Sequence, residues 1–128
     1  MVGFVLVSHS RKLAEGAVEL GHLMATEVPA EAAGGLPDGG MGTDFERILD
    51  AVTRIREQCP EGVLVIGDMG SSCMTSEMVL EELDDPGILM ADCPFAEGTV
   101  AAMTAAAGGA SLAEVRQAAE EAREAAKF

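Results

Sequence analysis

Two short polar segments of the sequence carry side chains that could do chemistry together. His9 follows an apolar run and lies between Ser8 and Ser10, and Asp68 follows a second apolar run. An imidazole held by a carboxylate on one ring nitrogen presents the other nitrogen as a nucleophile of fixed tautomer. If the fold brings the two segments together, they predict a nucleophilic histidine oriented by an aspartate.

The groups next to these two residues are suited to holding a phosphoryl group. Ser10 stands where one helix is expected to begin, and Gly70, Ser71 and Ser72 open another. Backbone N–H groups at helix starts and nearby hydroxyls can converge on phosphate oxygens. The chain has no Walker motif, so the phosphate would not come from a nucleotide bound in a P-loop. The residues therefore predict a phosphohistidine site.

Other interpretations of the same residues stay open. A lone histidine at a strand end is often a structural hydrogen-bonding group, and Asp68 alone could merely cap a helix. A hydrolase triad of Ser72, His9 and Asp68 is conceivable, but the G-x-S-x-G elbow is missing. We expect His22 to be an ordinary helix-face residue. No metal site is expected, because the histidines and cysteines lack the spacing of zinc ligands.

The elements that would position these residues alternate between strand and helix. Hydrophobic patterning predicts strands at 2–7, 28–33, 63–67 and 88–91. It predicts helices at 11–26, 75–83 and 98–107, a helix that Thr43 or Asp44 caps and that runs to about Gln58, and a last helix capped by Ser111. The order predicts an α/β fold: a three-layer, doubly wound, mainly parallel sheet with helices on both faces. Ligands bind such sheets where the strand order reverses. If the first and third strands are neighbours there, His9 and Asp68 face each other.

Composition and charge narrow the classes of partner. The 128 residues predict one domain over 1–128, and 48% of them are hydrophobic. The net charge is −14, and the span 57–115 contains no Lys or Arg, which disfavours nucleic acid and membrane surfaces as partners. No apolar run approaches the length of a membrane span. The three cysteines form no C-x-x-C pair, so we expect a reducing, cytoplasmic setting.

Several motifs of the chain resemble one known family in type and order. These are residues 5–10, 13–16, 42–44, 67–71 and 94–99. The chain resembles the mannose-type EIIA domains of the bacterial phosphotransferase system, over nearly its whole length to about Ser111. Sugar-specific members resemble one another in having Gly after the active histidine. Ser10 stands at that position here, so the resemblance is to the phosphotransfer subunits (DhaM) of phosphoenolpyruvate-dependent dihydroxyacetone kinases.

The resemblance implies roles for individual residues and a reaction. His9 would be phosphorylated on Nε2, and Asp68 would be the partner of Nδ1. Thr43 and Ser71 would lie beside the site. The phosphoryl group would come from phospho-HPr and pass to ADP bound on the nucleotide subunit of the kinase. No cofactor is implied beyond the transient phosphoryl group, and the family's homodimers imply a homodimer.

Two other functions fit the same resemblance. The chain could be a sugar-uptake EIIA that passes phosphate to the IIB component of a permease. It could also be a non-catalytic regulator, in which phosphorylation of His9 only changes binding to another protein. The identity of the acceptor distinguishes the three.

Overall fold

The centre of the fold is a parallel four-stranded sheet with the strand order β2-β1-β3-β4. The computed structural model describes residues 1–128. Its strands are β1 (Gly3–Ser8), β2 (Ala30–Gly34), β3 (Val63–Gly67) and β4 (Ile88–Met90). Its helices are α1 (Arg11–Met24), α2 (Phe45–Gln58), α3 (Ser71–Leu83), α4 (Phe95–Ala107) and α5 (Leu112–Glu121), followed by a 3₁₀ turn at Ala122–Glu124. None of these helices has the length and apolar character needed to cross a membrane.

The sheet separates two apolar cores, which makes three layers. Phe4, Leu6 and Leu64 point to one face, where α1, α4 and α5 pack with residues such as Met103. The alternate strand residues point to the other face, where they meet Ile48, Val52 and Ile55 of α2 and Val79 of α3. Because both faces are covered, β1 and β3 are buried along their whole length, and Ser8 is their one polar residue. The predicted α/β class and layer arrangement are confirmed.

The strand order places its reversal between β1 and β3. β1 pairs with β2 on one side and with β3 on the other, and Val7 lies opposite Gly67. The N–H of Asp68 donates to the carbonyl of Val7 at 2.9 Å, which ties the two strand ends together. The predicted neighbour relation of the first and third strands is therefore correct, and His9 and Asp68 leave the sheet side by side.

Several element boundaries differ from the predicted ones. α3 begins at Ser71 instead of residue 75, and α4 begins at Phe95 instead of residue 98. Neither helix has a side chain that caps its first turn, so the usual sequence signal of a helix start is missing. By contrast, the cap of α2 is Asp44, one of its two predicted caps, and Ser111 caps α5 as predicted. The remaining differences are small: α1 ends at Met24, β2 covers Ala30–Gly34, and β4 ends at Met90.

Candidate active site

A hydrogen-bonded pair of His9 and Asp68 forms the centre of the site. His9 Nδ1 lies 3.1 Å from Asp68 Oδ1, and the backbone N–H of His9 donates to Asp68 Oδ2 at 3.2 Å. An ionised carboxylate can only accept, so in the neutral imidazole Nδ1 carries the proton and Nε2 keeps its lone pair. The His9 side chain is 25% exposed, whereas that of Asp68 is 9% exposed. The pair thus presents a nucleophilic nitrogen at the surface above a shielded carboxylate.

In addition to the His9 ring, four donors hold Asp68 in its charged form. The hydroxyl of Ser72 donates to Oδ1 at 2.5 Å, that of Ser8 donates to Oδ2 at 2.9 Å, and the N–H groups of His9 and Met69 donate as well. Burial alone would raise the pKa of this carboxyl, but these hydrogen bonds outweigh it and hold the pKa below its usual value. The charged acceptor that fixes the tautomer of His9 is therefore stable at neutral pH.

Two hydroxyls meet the reactive nitrogen from the other side. Ser71 Oγ lies 2.8 Å from His9 Nε2, and the hydroxyl of Thr43 donates to Ser71 Oγ at 3.1 Å. Since Nε2 is the unprotonated nitrogen, Ser71 donates its proton there and accepts from Thr43. These hydroxyls from α3 and the loop before α2 can turn to oxygens bound at Nε2. The structure thus brings together four of the residues singled out from the sequence: His9, Asp68, Thr43 and Ser71.

Ser72 and Ser10 occupy supporting positions. Ser72 is fully buried, and its hydroxyl lies between Asp68 Oδ1 and the carbonyl of Met69. In this placement the hydroxyl of Ser72 holds Asp68, and its contact with phosphate stays a prediction. Ser10 caps α1 by accepting from the N–H of Leu13 at 3.2 Å, so its hydroxyl is engaged by the helix.

Ser8 is the contributor that sequence analysis missed. It is fully buried at the end of β1, donates to Asp68 Oδ2, and accepts from the N–H of Ser10 at 3.0 Å. Its one signal in the sequence is a polar residue that ends a buried apolar strand. That signal indicates a buried hydrogen bond but does not name the partner, which lies 60 residues away.

The starts of two helices converge beside His9 with unused backbone donors. The N–H groups of Arg11 and Lys12 in α1 donate no hydrogen bond within the chain, nor do those of Gly70 and Ser71 at the start of α3. The N-terminal ends of helices carry partial positive charge and attract anions. An anion bound beside His9 would therefore meet free N–H groups and the positive N-terminal ends of both α1 and α3.

The glycine-rich loop before α2 packs directly against the histidine. The N–H of Gly42 donates to the carbonyl of His9 at 2.9 Å, and Leu36 and Gly40 close the loop on itself. Gly42 has a φ of +145°, a region that L side chains rarely adopt. This contact places the next residue, Thr43, over Ser71. The loop thus acts as one wall of the site in this structure.

A cavity of about 510 Å³ opens next to Asp68, beyond the ends of β3 and β4. Cys73 and Cys93 line it together with Arg116. Burial raises the pKa of Cys93 to about 11 and also raises the pKa of Cys73, so both thiols are protonated at neutral pH. Neither cysteine is therefore an activated nucleophile. No group of three or more potential ligands is arranged to hold a metal ion.

His22 lies away from the site and has a structural contact. Its Nε2 lies 2.8 Å from the carbonyl of Val28, which ties the last turn of α1 to the segment before β2. The contact gives the ring a specific structural partner, and the absence of a chemical role for His22 stays a prediction.

Comparison with known protein families identifies the family of this chain. Residues 3–116 match the EIIA-man family model, described as the fructose IIA component of the phosphotransferase system. The chain belongs to the EIIA-man family. All of the residues in the His9–Asp68 site fall within the matched region.

Curated relatives of this EIIA-man chain are DhaM proteins. The DhaM phosphotransferase subunit of Lactococcus lactis, named as part of a PTS-dependent dihydroxyacetone kinase, is 31% identical over 90% of both chains. The phosphoryl donor subunit DhaM of Escherichia coli is 35% identical over 90% of this chain but only 25% of its own length. The chain thus spans about a quarter of that relative and most of the other. The resemblance to the DhaM branch is confirmed.

Solved structures support the same architecture. A crystal structure of a protein of unknown function superimposes with a TM-score of 0.80 at 26% identity, covering 94% of this chain and 93% of the other. A sigma-54 interaction domain protein from Enterococcus faecalis gives a TM-score of 0.77 at 19% identity, covering 96% of this chain and 90% of the other. At that identity the second comparison speaks to the fold alone.

Proposed function

We propose that this EIIA-man chain is a phosphohistidine carrier of a phosphoenolpyruvate-dependent dihydroxyacetone kinase, with His9 as the phosphorylated residue. The observation that carries the proposal is the pairing of His9 Nδ1 with the buried carboxylate of Asp68, which leaves Nε2 unprotonated at the surface. The names of the DhaM relatives supply the kinase context.

The reaction is a transfer between two nitrogen atoms. The lone pair of His9 Nε2 forms the new N–P bond while the N–P bond of a donor phosphohistidine breaks, and the electron pair of that bond returns to the donor's ring. Nδ1 keeps its proton, which the hydrogen bond to Asp68 holds in place. Phosphoryl transfer runs through a loose, in-line transition state, so orientation and donors to the phosphoryl oxygens carry most of the catalysis.

The groups around Nε2 would hold the phosphoryl oxygens. Once Nε2 is phosphorylated, it can no longer accept from Ser71, so that hydroxyl and the one of Thr43 turn toward the new oxygens. The free N–H groups of Gly70 and Ser71 donate from the α3 side. No resident cofactor takes part in this scheme. The only group that comes and goes is the phosphoryl group itself.

The proposed relay has a protein on each side. Phospho-HPr donates to His9, and phospho-His9 passes the group to ADP held on the nucleotide subunit of the kinase, which forms ATP there. We place this relay in the cytoplasm. A second candidate acceptor is the IIB component of a sugar permease, which the description of the matching family as a fructose IIA component favours.

The carrier role is tested by intact-mass spectrometry. The chain is incubated with phosphoenolpyruvate, enzyme I and HPr, with His9→Ala and His22→Ala as a matched pair of variants. We expect one acid-labile phosphoryl group on the wild type and on His22→Ala, and none on His9→Ala. Equal phosphorylation of His9→Ala would overturn the assignment. Adding either the ADP-loaded kinase subunit or a IIB protein then shows which acceptor discharges phospho-His9.

We also propose that the chain forms a homodimer, as the family resemblance implies. A groove of about 400 Å³ runs between α1, α4 and the chain end, lined by Leu20, Val100 and several alanines. Leu23 and Met24, at the end of α1, are 74% and 65% exposed. Burying these side chains against a second copy would remove apolar surface from water. Sedimentation of wild type and Leu23→Glu tests this: a wild-type monomer would overturn it.

A further inference from the structure

The hydroxyl of Ser8, at the end of β1, has a single hydrogen-bond acceptor. Ser8 is fully buried, and its Oγ accepts from the N–H of Ser10 at 3.0 Å and lies 2.9 Å from Asp68 Oδ2. A hydroxyl carries one proton, and no other acceptor lies within hydrogen-bond distance of this one. The proton of Ser8 is therefore directed at the carboxylate of Asp68.

The other hydroxyl on this carboxylate is less firmly committed to it. Ser72 Oγ lies 2.5 Å from Asp68 Oδ1 but also 2.8 Å from the carbonyl oxygen of Met69, so its one proton has a second acceptor within reach. The remaining donor to Oδ2 is the backbone N–H of His9, at the longer distance of 3.2 Å. Ser8 is thus the hydroxyl donor dedicated to Asp68, and the shortest bond that Oδ2 accepts comes from it.

The bond from Ser8 also fixes how the carboxylate is turned. Oδ2 is held by two groups at the end of β1, which leaves Oδ1 facing the ring of His9 at 3.1 Å from Nδ1. Ser8 is itself anchored, because Ser10, the N-cap of α1, donates its N–H to Ser8 Oγ. The orientation of the carboxylate is therefore tied to the strand end and to the start of α1.

This orientation matters because the neutral ring of His9 has a second tautomer available. Ser71 Oγ lies 2.8 Å from Nε2, and a hydroxyl can accept a proton from a ring nitrogen as well as donate one to it. The partner at Nε2 therefore does not discriminate between the tautomers. The bond from Nδ1 to the carboxylate does, since a carboxylate can only accept.

We propose that Ser8 is a positioning residue for phosphoryl transfer: its hydrogen bond holds the carboxylate of Asp68 in the orientation that keeps the proton on His9 Nδ1 and the lone pair on Nε2. This inference rests on the proposed carrier function and adds a residue to it. Solvent does not replace the hydroxyl when it is removed, because Ser8 is fully buried and the space left is smaller than a water molecule.

The test compares two buried serines. Ser8→Ala removes the donor to Asp68. Its control is Ser76→Ala, which removes an equally buried hydroxyl that donates to the carbonyl of Ser72 at 2.6 Å and contacts neither His9 nor Asp68. Ser8→Thr keeps a hydroxyl at the position and serves as the rescue variant. Phosphorylation of His9 is followed with phospho-HPr and with the small donor phosphoramidate, and urea unfolding reports the stability of each variant.

We expect Ser8→Ala to lose about 10- to 100-fold in rate with both donors, which is the range for a hydrogen bond to a charged group. Ser8→Thr should recover most of this loss, and Ser76→Ala should react like the wild type. Because Ser8 acts through the carboxylate, adding Ser8→Ala to Asp68→Asn should cause no further loss. A wild-type rate in Ser8→Ala, an equal loss in Ser76→Ala or a multiplied loss in the double variant would each overturn the proposal.

The tautomer of His9 gives a readout that a merely structural role would not move. Nitrogen NMR of the unphosphorylated chain, at alkaline pH where a histidine ring is neutral, should show the proton on Nδ1 in the wild type and in Ser76→Ala. Ser8→Ala should shift the ring toward the Nε2–H tautomer, and an unchanged tautomer would overturn the proposal. A wild type that accepts from neither donor would refute the carrier function, whereas a shifted tautomer would still show that Ser8 orients His9 through Asp68.

Discussion

At the scale of single residues, the direction of one hydrogen bond decides which nitrogen of His9 reacts. Asp68→Asn tests this, because an amide can donate to Nδ1 and so favour the other tautomer. The amide would also face donors from Ser72 and Ser8 that need an acceptor. We expect phosphoryl transfer to fall by about 10²–10⁴-fold, the range for loss of the carboxylate that orients a catalytic histidine. Asp50→Asn, at an exposed position of α2, serves as the control.

The measurement is the rate of His9 phosphorylation from phospho-HPr and, separately, from phosphoramidate, a small phosphoryl donor that needs no protein docking. Both rates should fall together, because the defect lies in the nucleophile and not in docking. A variant that keeps the wild-type rate with either donor would contradict the role assigned to Asp68.

The carboxylate of Asp68 also makes the free energy of unfolding depend on pH. Burial opposes its charge, but hydrogen bonds from Ser72 and Ser8 outweigh that effect and lower the pKa of Asp68 in the folded chain. Its contribution to stability is thus complete above the pKa of an unfolded aspartate, about 3.9, and is lost as the pH falls below it. Urea unfolding of wild type and Asp68→Asn should therefore show a free-energy difference that is constant from neutral pH to about 5 and shrinks below about 4. A difference that persists at pH values below the folded pKa would contradict this.

The placement of His9 and Asp68 could be predicted from the sequence because each directly follows a continuously buried strand. Hydrophobic runs fix such ends to within a residue, and parallel strands end at one edge of the sheet. The roles of Ser8 and Ser72 could not be predicted in the same way. Both are serines in polar segments, and only the distances in the folded chain show that both hydroxyls are used by Asp68.

At the scale of elements, the start of α3 positions the hydroxyls of Ser71 and Ser72 at the site. It is also the helix boundary that differs most from its prediction, since the helix begins at Ser71 instead of residue 75. Gly70 precedes the helix with a φ of +50°, and no side chain caps the first turn. The hydrophobic pattern places the start of this helix only at residue 75, but the side chains of Ser71 and Ser72 bond His9 and Asp68 from within its first turn. Tertiary contacts therefore set this boundary, and no local propensity records them.

The positive φ of Gly70 can be tested by comparing alanine substitutions at Gly70 and at Gly16. A Cβ at either position would meet nothing within 4 Å, so packing does not distinguish them. Gly70→Ala forces an L side chain into the left-handed region and should lower the free energy of unfolding by about 1–2 kcal/mol. Gly16→Ala, inside α1, should raise it by about 0.5–1 kcal/mol. Urea unfolding measures both, and a stabilised Gly70→Ala would contradict the assigned backbone conformation.

At the scale of the whole molecule, the net charge of −14 acts on every encounter. A donor with a basic surface is attracted at long range, especially toward the base-free span 57–115, whereas the small anion phosphoramidate is repelled. Salt screens both effects, since the Debye length falls from about 30 Å at 0.01 M to about 8 Å at physiological ionic strength. The two donors should therefore respond to salt in opposite directions.

We expect the rate constant with phospho-HPr to fall by about tenfold as salt rises over this range, within the span of electrostatic steering. The rate with phosphoramidate should stay level or rise slightly. Stopped-flow or quenched-flow labelling of His9 at matched pH measures both rate constants. The Asp68→Asn variant, in which the transfer step itself is expected to be slow, shows how salt affects a rate that is limited by chemistry. A flat response with phospho-HPr would mean that the acidic surface takes no part in recognition of the donor. A parallel fall with both donors would instead mean that salt acts on the phosphoryl site itself.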